Sequence, residues 1–88
     1  MVEYTNDNME REPKKLSAAD TENIRLAQLY RSEYVASSMV GDPEATKTAE
    51  KVFRDAVNAL SLEGRKALDD YFSRLPENER PDKIGLEY

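Results

Sequence analysis

Residues 42–76 constrain the fold more than any other part of the chain, because they predict a helix, a tight joint and a second helix. Asp42 can cap a helix, and Pro43 suits a first helical turn. The helix that begins at Pro43 carries apolar side chains at helical spacing, at Ala49, Val52, Phe53, Ala56, Val57 and Leu60. Ser61 can cap the second helix, and Pro76 ends it. The apolar positions of the second helix are Leu68, Tyr71, Phe72 and Leu75. The stretch therefore predicts a helical hairpin with one apolar seam.

A longer helix is predicted to precede the hairpin. Ser17 can accept a hydrogen bond from the backbone amide three residues on, where Asp20 also suits the positive end of a helix. Gly41 suits a left-handed helix terminus. The apolar residues lie on two sides of this helix: Ile24, Ala27, Tyr30, Tyr34 and Val35 on one side, and Leu26, Leu29 and Val40 on the other. A helix with so broad an apolar arc is expected to be covered by more than one neighbour.

The predicted fold is therefore all-α, a small three-helix bundle with extended N-terminal and C-terminal arms. The helices are expected near residues 17–40, 43–60 and 62–75. Short joints between helices favour antiparallel neighbours. An alternative is a helical hairpin that dimerises, with the first helix crossing to the partner. A chain of 88 residues buries a lean core, which favours completion of that core by a partner or a second copy.

The domain organisation follows from the same pattern. Residues 1–15 are polar, without a sustained period, and are predicted to form a flexible arm, or to lie along another surface. Residues 16–76 are the predicted bundle domain. Residues 77–88 form a tail punctuated by proline, which is either loose or clipped over a hydrophobic groove.

The composition excludes several classes of chemistry. The chain contains neither cysteine nor histidine, so a disulfide, a thiolate nucleophile, a Ser-His dyad and a zinc site built from sulfur or imidazole are all excluded. Its three glycines do not occur at nucleotide-loop spacing. We therefore expect no catalytic site, no cofactor and no metal, and we expect that the protein is not an enzyme.

Charge and hydropathy favour a cytoplasmic protein without a membrane segment. No run of apolar residues approaches the length of a membrane span, and the first fifteen residues lack the apolar segment of a secretory leader. The net charge of −5 is mild and evenly spread. A nucleic-acid partner is disfavoured, because such proteins normally carry a basic face or stripe.

Two groups of residues are candidate binding sites. Tyr30 and Tyr34 lie one turn apart and would form an amphipathic patch if exposed, which is typical of protein interfaces. With the neighbouring Leu26 and Leu29, they form the predicted partner-binding site. The second group is a possible anion-binding set formed by Lys47, Lys51, Arg54, Arg65 and Lys66.

The sequence thus favours a small acidic helical protein that acts by protein–protein interaction, as a regulator, inhibitor or adaptor. We expect it to bind another protein and to form a homo-oligomer. Two alternatives would use the anion-binding set: a DNA-binding transcriptional regulator, and an oligomeric binder of a small phosphorylated ligand.

Overall fold

The structure, a computed structural model, describes residues 16–86 and 88, and within these residues every regular element is a helix. Three long helices are followed by a 3₁₀ turn and one short helix: α1 Ala18–Met39, α2 Pro43–Asn58, α3 Leu62–Ser73, the turn Glu77–Glu79 and α4 Pro81–Ile84. The prediction of a small all-α bundle is confirmed, and each long helix ends within two residues of its predicted boundary. The predicted N-terminal arm, residues 1–15, lies outside the described residues.

The predicted helix caps are all formed. The Ser17 hydroxyl accepts a hydrogen bond from the Asp20 amide at 3.0 Å and begins α1. The Ser61 hydroxyl accepts from the Gly64 amide at 3.1 Å and begins α3. Asp42 begins α2 in the same way, and its carboxylate accepts from an amide three residues on, at 3.1 Å. Gly41 has a φ of 74°, in the left-handed region that separates α1 from α2. Each cap contributes about 1 kcal/mol.

The core lies where α1 and α2 pack against each other as a hairpin and α3 covers one end. Its buried members come from all three long helices and from the C-terminal tail: Ala27, Phe53, Ala56, Val57, Leu68, Phe72 and Leu86. The rings of Phe53 on α2 and Phe72 on α3 are 6.0 Å apart. Residues whose apolar spacing predicted a seam in 42–76 therefore form much of the observed core. The closely packed helix pair, however, is α1 with α2, and not the predicted pair of the helices at 43–60 and 62–75.

The C-terminal tail is clipped over the bundle, which was one of the two states that the sequence left open. Leu86 is fully buried and belongs to the core, and Pro81 is also buried. Arg31 on α1 donates a hydrogen bond from its guanidinium to the carbonyl oxygen of Glu79 at 3.1 Å. The tail is not extended throughout, since it contains the 3₁₀ turn and α4.

Candidate interaction surface

At its first turn, α1 is joined to the start of α3 by a buried carboxylate. The Asp20 side chain is buried, and one of its oxygens accepts a hydrogen bond from the Ser61 amide at 3.0 Å. Its second oxygen accepts from the Ser61 hydroxyl. The same hydroxyl caps α3, so Ser61 both begins α3 and joins it to α1. We call this group, Asp20, Ser61 and Gly64, the closed end of the bundle.

Close approach at the closed end depends on Gly64. A Cβ atom at this position would lie 2.8 Å from the Asp20 carboxyl carbon, closer than such atoms approach each other. The two hydrogen bonds from Ser61 favour the ionised carboxylate and lower the pKa of Asp20, against the opposing effect of burial. The group is thus a structural anion held against the N-terminus of α3, where the helix dipole also favours negative charge.

The opposite end of α1 exposes apolar side chains instead of covering them. Met39 is 81% exposed and Val40 is 78% exposed, directly before the joint that leads to α2. The backbone of this joint is well bonded, because the Val40 amide donates to the Ala36 carbonyl at 3.2 Å and the Asp42 amide donates to the Ser37 carbonyl at 3.0 Å. We call residues 39–42 the hairpin tip. Its backbone hydrogen bonds hold two large apolar side chains in water.

A cavity lies beside the hairpin tip. It has a volume of about 450 Å³ and is lined by Ser38, Gly41, Asp42, Pro43, Thr46 and Lys47. A Cβ atom at Gly41 would have no neighbouring atom within 4 Å, so this side of the tip is open. Met39 and Val40 do not line this cavity, but they lie in sequence between two residues that do, Ser38 and Gly41. Contiguous exposed apolar groups rimmed by polar residues are typical of protein contact sites.

The predicted partner-binding residues occupy different environments. Leu26, Tyr30 and Tyr34 are half-buried and pack against the core, so the two tyrosines do not stand out as an exposed patch. Leu29 faces away from the core and is 44% exposed. The two apolar sides of α1 are covered to different extents, and the two tyrosines lie on the side that packs against the core. The side that carries the tyrosines is packed, whereas on the other side Leu26 packs against the core and Leu29 is exposed.

The structure distributes the predicted anion-binding residues over separate places. Lys51 pairs with Asp55 at 3.0 Å, Arg54 with Glu50 at 2.7 Å and Arg65 with Asp69 at 3.6 Å, each within its own helix. Lys47 lines the cavity beside the hairpin tip. Lys66 lines a different cavity, of about 340 Å³, with Leu16, Glu63 and Ala67. The arrangement therefore pairs several of these cations with carboxylates, and Lys47, Lys66 and Arg65 line different cavities.

Tyr88 forms a further contact site that the sequence pattern did not indicate. Its ring lies 5.6 Å from that of Phe53 and 5.9 Å from that of Phe72, in edge-on arrangements. The Arg65 guanidinium lies 4.7 Å from the ring centre, and the Tyr88 hydroxyl donates to the Asp69 carboxylate at 3.1 Å. Burial, together with Asp69, raises the pKa of Tyr88 to about 12. A single aromatic residue after a glycine turn has no periodicity by which a sequence could reveal this contact.

The exposure of Met39 was also not anticipated from the sequence. Periodicity assigned Val40 to a face of the first helix, whereas the helix ends one residue earlier and Val40 lies on its C-cap. The signal that could have revealed the tip is the position of two large apolar residues immediately before Gly41-Asp42-Pro43. Such a joint turns the chain sharply and leaves the last side chains of the preceding helix without a neighbour.

Within residues 16–86 and 88, no cluster of three or more acidic side chains is arranged to hold a metal ion. None of the helices in this part of the chain combines the length and the apolar character that a membrane crossing requires. Comparison with known protein families, with curated proteins and with solved structures finds no match to this chain.

Proposed function

We propose that this protein acts without catalysis, by binding another protein in the cytoplasm, as a small regulator, inhibitor or adaptor. The observation that carries the proposal is the exposure of Met39 and Val40 at the hairpin tip. A monomer gains nothing in folding from leaving such side chains in water, whereas their transfer into an interface contributes about 25 cal/mol per Å² of apolar surface covered. The tip is therefore a surface from which binding energy is available.

The rigidity of the tip supports the same proposal. Its backbone groups are hydrogen-bonded and Asp42 caps α2, so the exposed side chains project from a backbone that needs no reordering. A preorganised surface loses less conformational freedom on binding than a loose one. Leu29, farther along the open side of α1, extends the apolar surface available to a partner.

A capture experiment with matched variants tests this function. The tagged protein and its double variant Met39→Ser, Val40→Ser are used to retain proteins from the native cell extract, and any retained protein is purified and re-tested by calorimetry. We expect one dominant partner, bound at least tenfold more weakly by the double variant. Leu62→Ser is the matched control, because Leu62 is also a large apolar residue, 68% exposed, but lies at the start of α3.

The control defines the contradicting results. A partner retained equally by the double variant would remove the tip from the binding surface. A partner lost on replacement of Leu62 and kept on replacement of the tip would move the site to the start of α3. If no purified protein binds directly, the proposed function is wrong.

A further inference from the structure

We propose that the hairpin tip pairs with the tip of a second copy of this chain, through a contact related by a two-fold axis. This inference rests on the proposed function, since it names a partner for the same surface. In a two-fold contact, one patch meets an identical patch, so each feature of the patch has to face its complement on the other copy. The tip satisfies this requirement in shape and in charge.

The shape of the tip is complementary to itself. Met39 and Val40 project into solvent, and the cavity of about 450 Å³ is open beside them. In the proposed dimer, the projecting side chains of each copy lie over the cavity of the other copy. Gly41 has no side chain to obstruct this entry, and the ring of Pro43 contributes an apolar wall.

The charges of the cavity are also complementary to themselves. Asp42 and Lys47 both line it, one acidic and one basic. Only one carboxylate oxygen of Asp42 is used by the cap of α2, which leaves the other able to accept. Under the two-fold axis, Lys47 of each copy faces Asp42 of the other. Two opposite-charge pairs then flank the apolar contact.

The contact is small, so the dimer is expected to be weak. Stable interfaces cover roughly 800 Å² on each partner, which is more than two side chains and one cavity supply. We expect a dissociation constant on the order of 100 µM to 1 mM. Pairing at this strength responds to local concentration, and a tighter protein partner at the same tip would replace the second copy.

Sedimentation equilibrium of the full chain from about 10 µM to about 2 mM tests the inference. We expect a reversible rise in mass towards the dimer, abolished by Val40→Glu and weakened about tenfold by Lys47→Glu, which sets two acidic groups against each other in each pair. Asp42→Asn keeps the cap of α2 and should weaken the dimer about threefold at low salt. Lys51→Glu is the control, because it makes the same charge change one turn farther along α2. Circular dichroism shows whether each variant keeps the fold.

Three results would overturn the inference: a monomer over the whole concentration range, a dimer that Val40→Glu leaves unchanged, or equal weakening by Lys47→Glu and Lys51→Glu. These results are separable from failure of the proposed function. A monomer that still binds a purified partner through Met39 and Val40 keeps the function and removes the self-pairing. A dimer that forms through the tip but binds no other protein would keep the self-pairing and remove the proposed function.

Discussion

At the start of α1 the carboxylate of Asp20 is buried and accepts two hydrogen bonds from Ser61, whereas at the end of the same helix Met39 and Val40 extend into water. Ordinary burial preferences would place the charged group outside and the apolar groups inside. The reversal has a physical reason at the closed end, where the buried charge is paired with donors and meets a helix N-terminus. At the tip, Met39 and Val40 remain largely exposed.

Side chains at the closed end hold two helices together, whereas the large side chains of Met39 and Val40 at the tip are mostly exposed. At the closed end, the hydrogen bonds from Ser61 to the Asp20 carboxylate join elements that are 41 residues apart in sequence. At the tip the hydrogen bonds join residues no more than five apart in sequence, between backbone groups and from a backbone amide to the Asp42 carboxylate. Changes at the closed end should therefore lower stability, and changes at the tip should lower association.

The largest effect is expected from a core residue that sets the scale for this comparison. Leu86→Ala should lower the free energy of unfolding by about 2–5 kcal/mol, because Leu86 is fully buried and its truncation leaves a cavity. Urea unfolding followed by circular dichroism measures the change. A loss well below 1 kcal/mol would show that the tail does not belong to the core.

The next effect is expected at the closed end itself. Gly64→Ala should destabilise the fold by about 1–3 kcal/mol, because the new Cβ would meet the Asp20 side chain. In an open helix, the same change would instead stabilise by up to about 1 kcal/mol. The double variant with Asp20→Ala removes the obstruction, so the two changes should not be additive. A stabilising Gly64→Ala would contradict the close approach.

A smaller effect, dependent on pH, is expected from the Asp20 carboxylate. Its pKa is lowered in the folded state, so its contribution to stability is complete above the unfolded pKa of about 3.9 and is lost as the pH falls through the folded pKa. Asp20→Asn should therefore be less stable than the parent near pH 7, and the difference should shrink below about pH 4. Thermal melts over this range measure it. Asp70→Asn is the control, because it removes a carboxylate from an exposed ion pair with Arg74. If the difference in stability between the parent and Asp20→Asn stayed constant with pH, the hydrogen bonds from Ser61 would not favour the ionised form of the Asp20 carboxylate.

The smallest effect on stability is expected at the tip. Val40→Ser should change the free energy of unfolding by no more than about 0.5 kcal/mol, since the side chain is largely in water already. The same variant should lose the association of the parent. Urea unfolding and sedimentation of the same samples compare the two quantities. A destabilisation comparable to that of Gly64→Ala would erase the contrast between the two ends.

The fold was predictable to the extent that it depends on local chemistry. Ser17, Asp42 and Ser61 cap their helices as their positions in the sequence indicated, and the apolar spacing around Phe53 identified core residues. The same spacing did not identify α1 as the helix that packs most closely against α2. Asp20 was assigned only to its own helix, because sequence spacing carries no information about a partner 41 residues away. Gly64 was tolerable in a first turn, but its necessity depends on that same distant contact.

The exposure of individual side chains was harder to predict than the fold. Tyrosine is a residue type suited to an interface, but Tyr30 and Tyr34 pack against the core. The sequence could not show this, because apolar spacing does not distinguish a covered face from an open one. Met39 and Val40 are exposed through the position of a helix end, which differs by one residue from the predicted one. Exposure therefore depends on tertiary packing that the pattern alone does not contain.

The contrast between the two ends of α1 is tested most directly by amide chemical shifts in a dilution series from about 2 mM to about 20 µM. We predict that the concentration-dependent shifts cluster at residues 38–47, around Met39, Val40 and Lys47. The amides of Asp20, Ser61 and Gly64 should stay unchanged. Shifts centred on the start of α3, or spectra that do not change with concentration, would contradict a tip reserved for association.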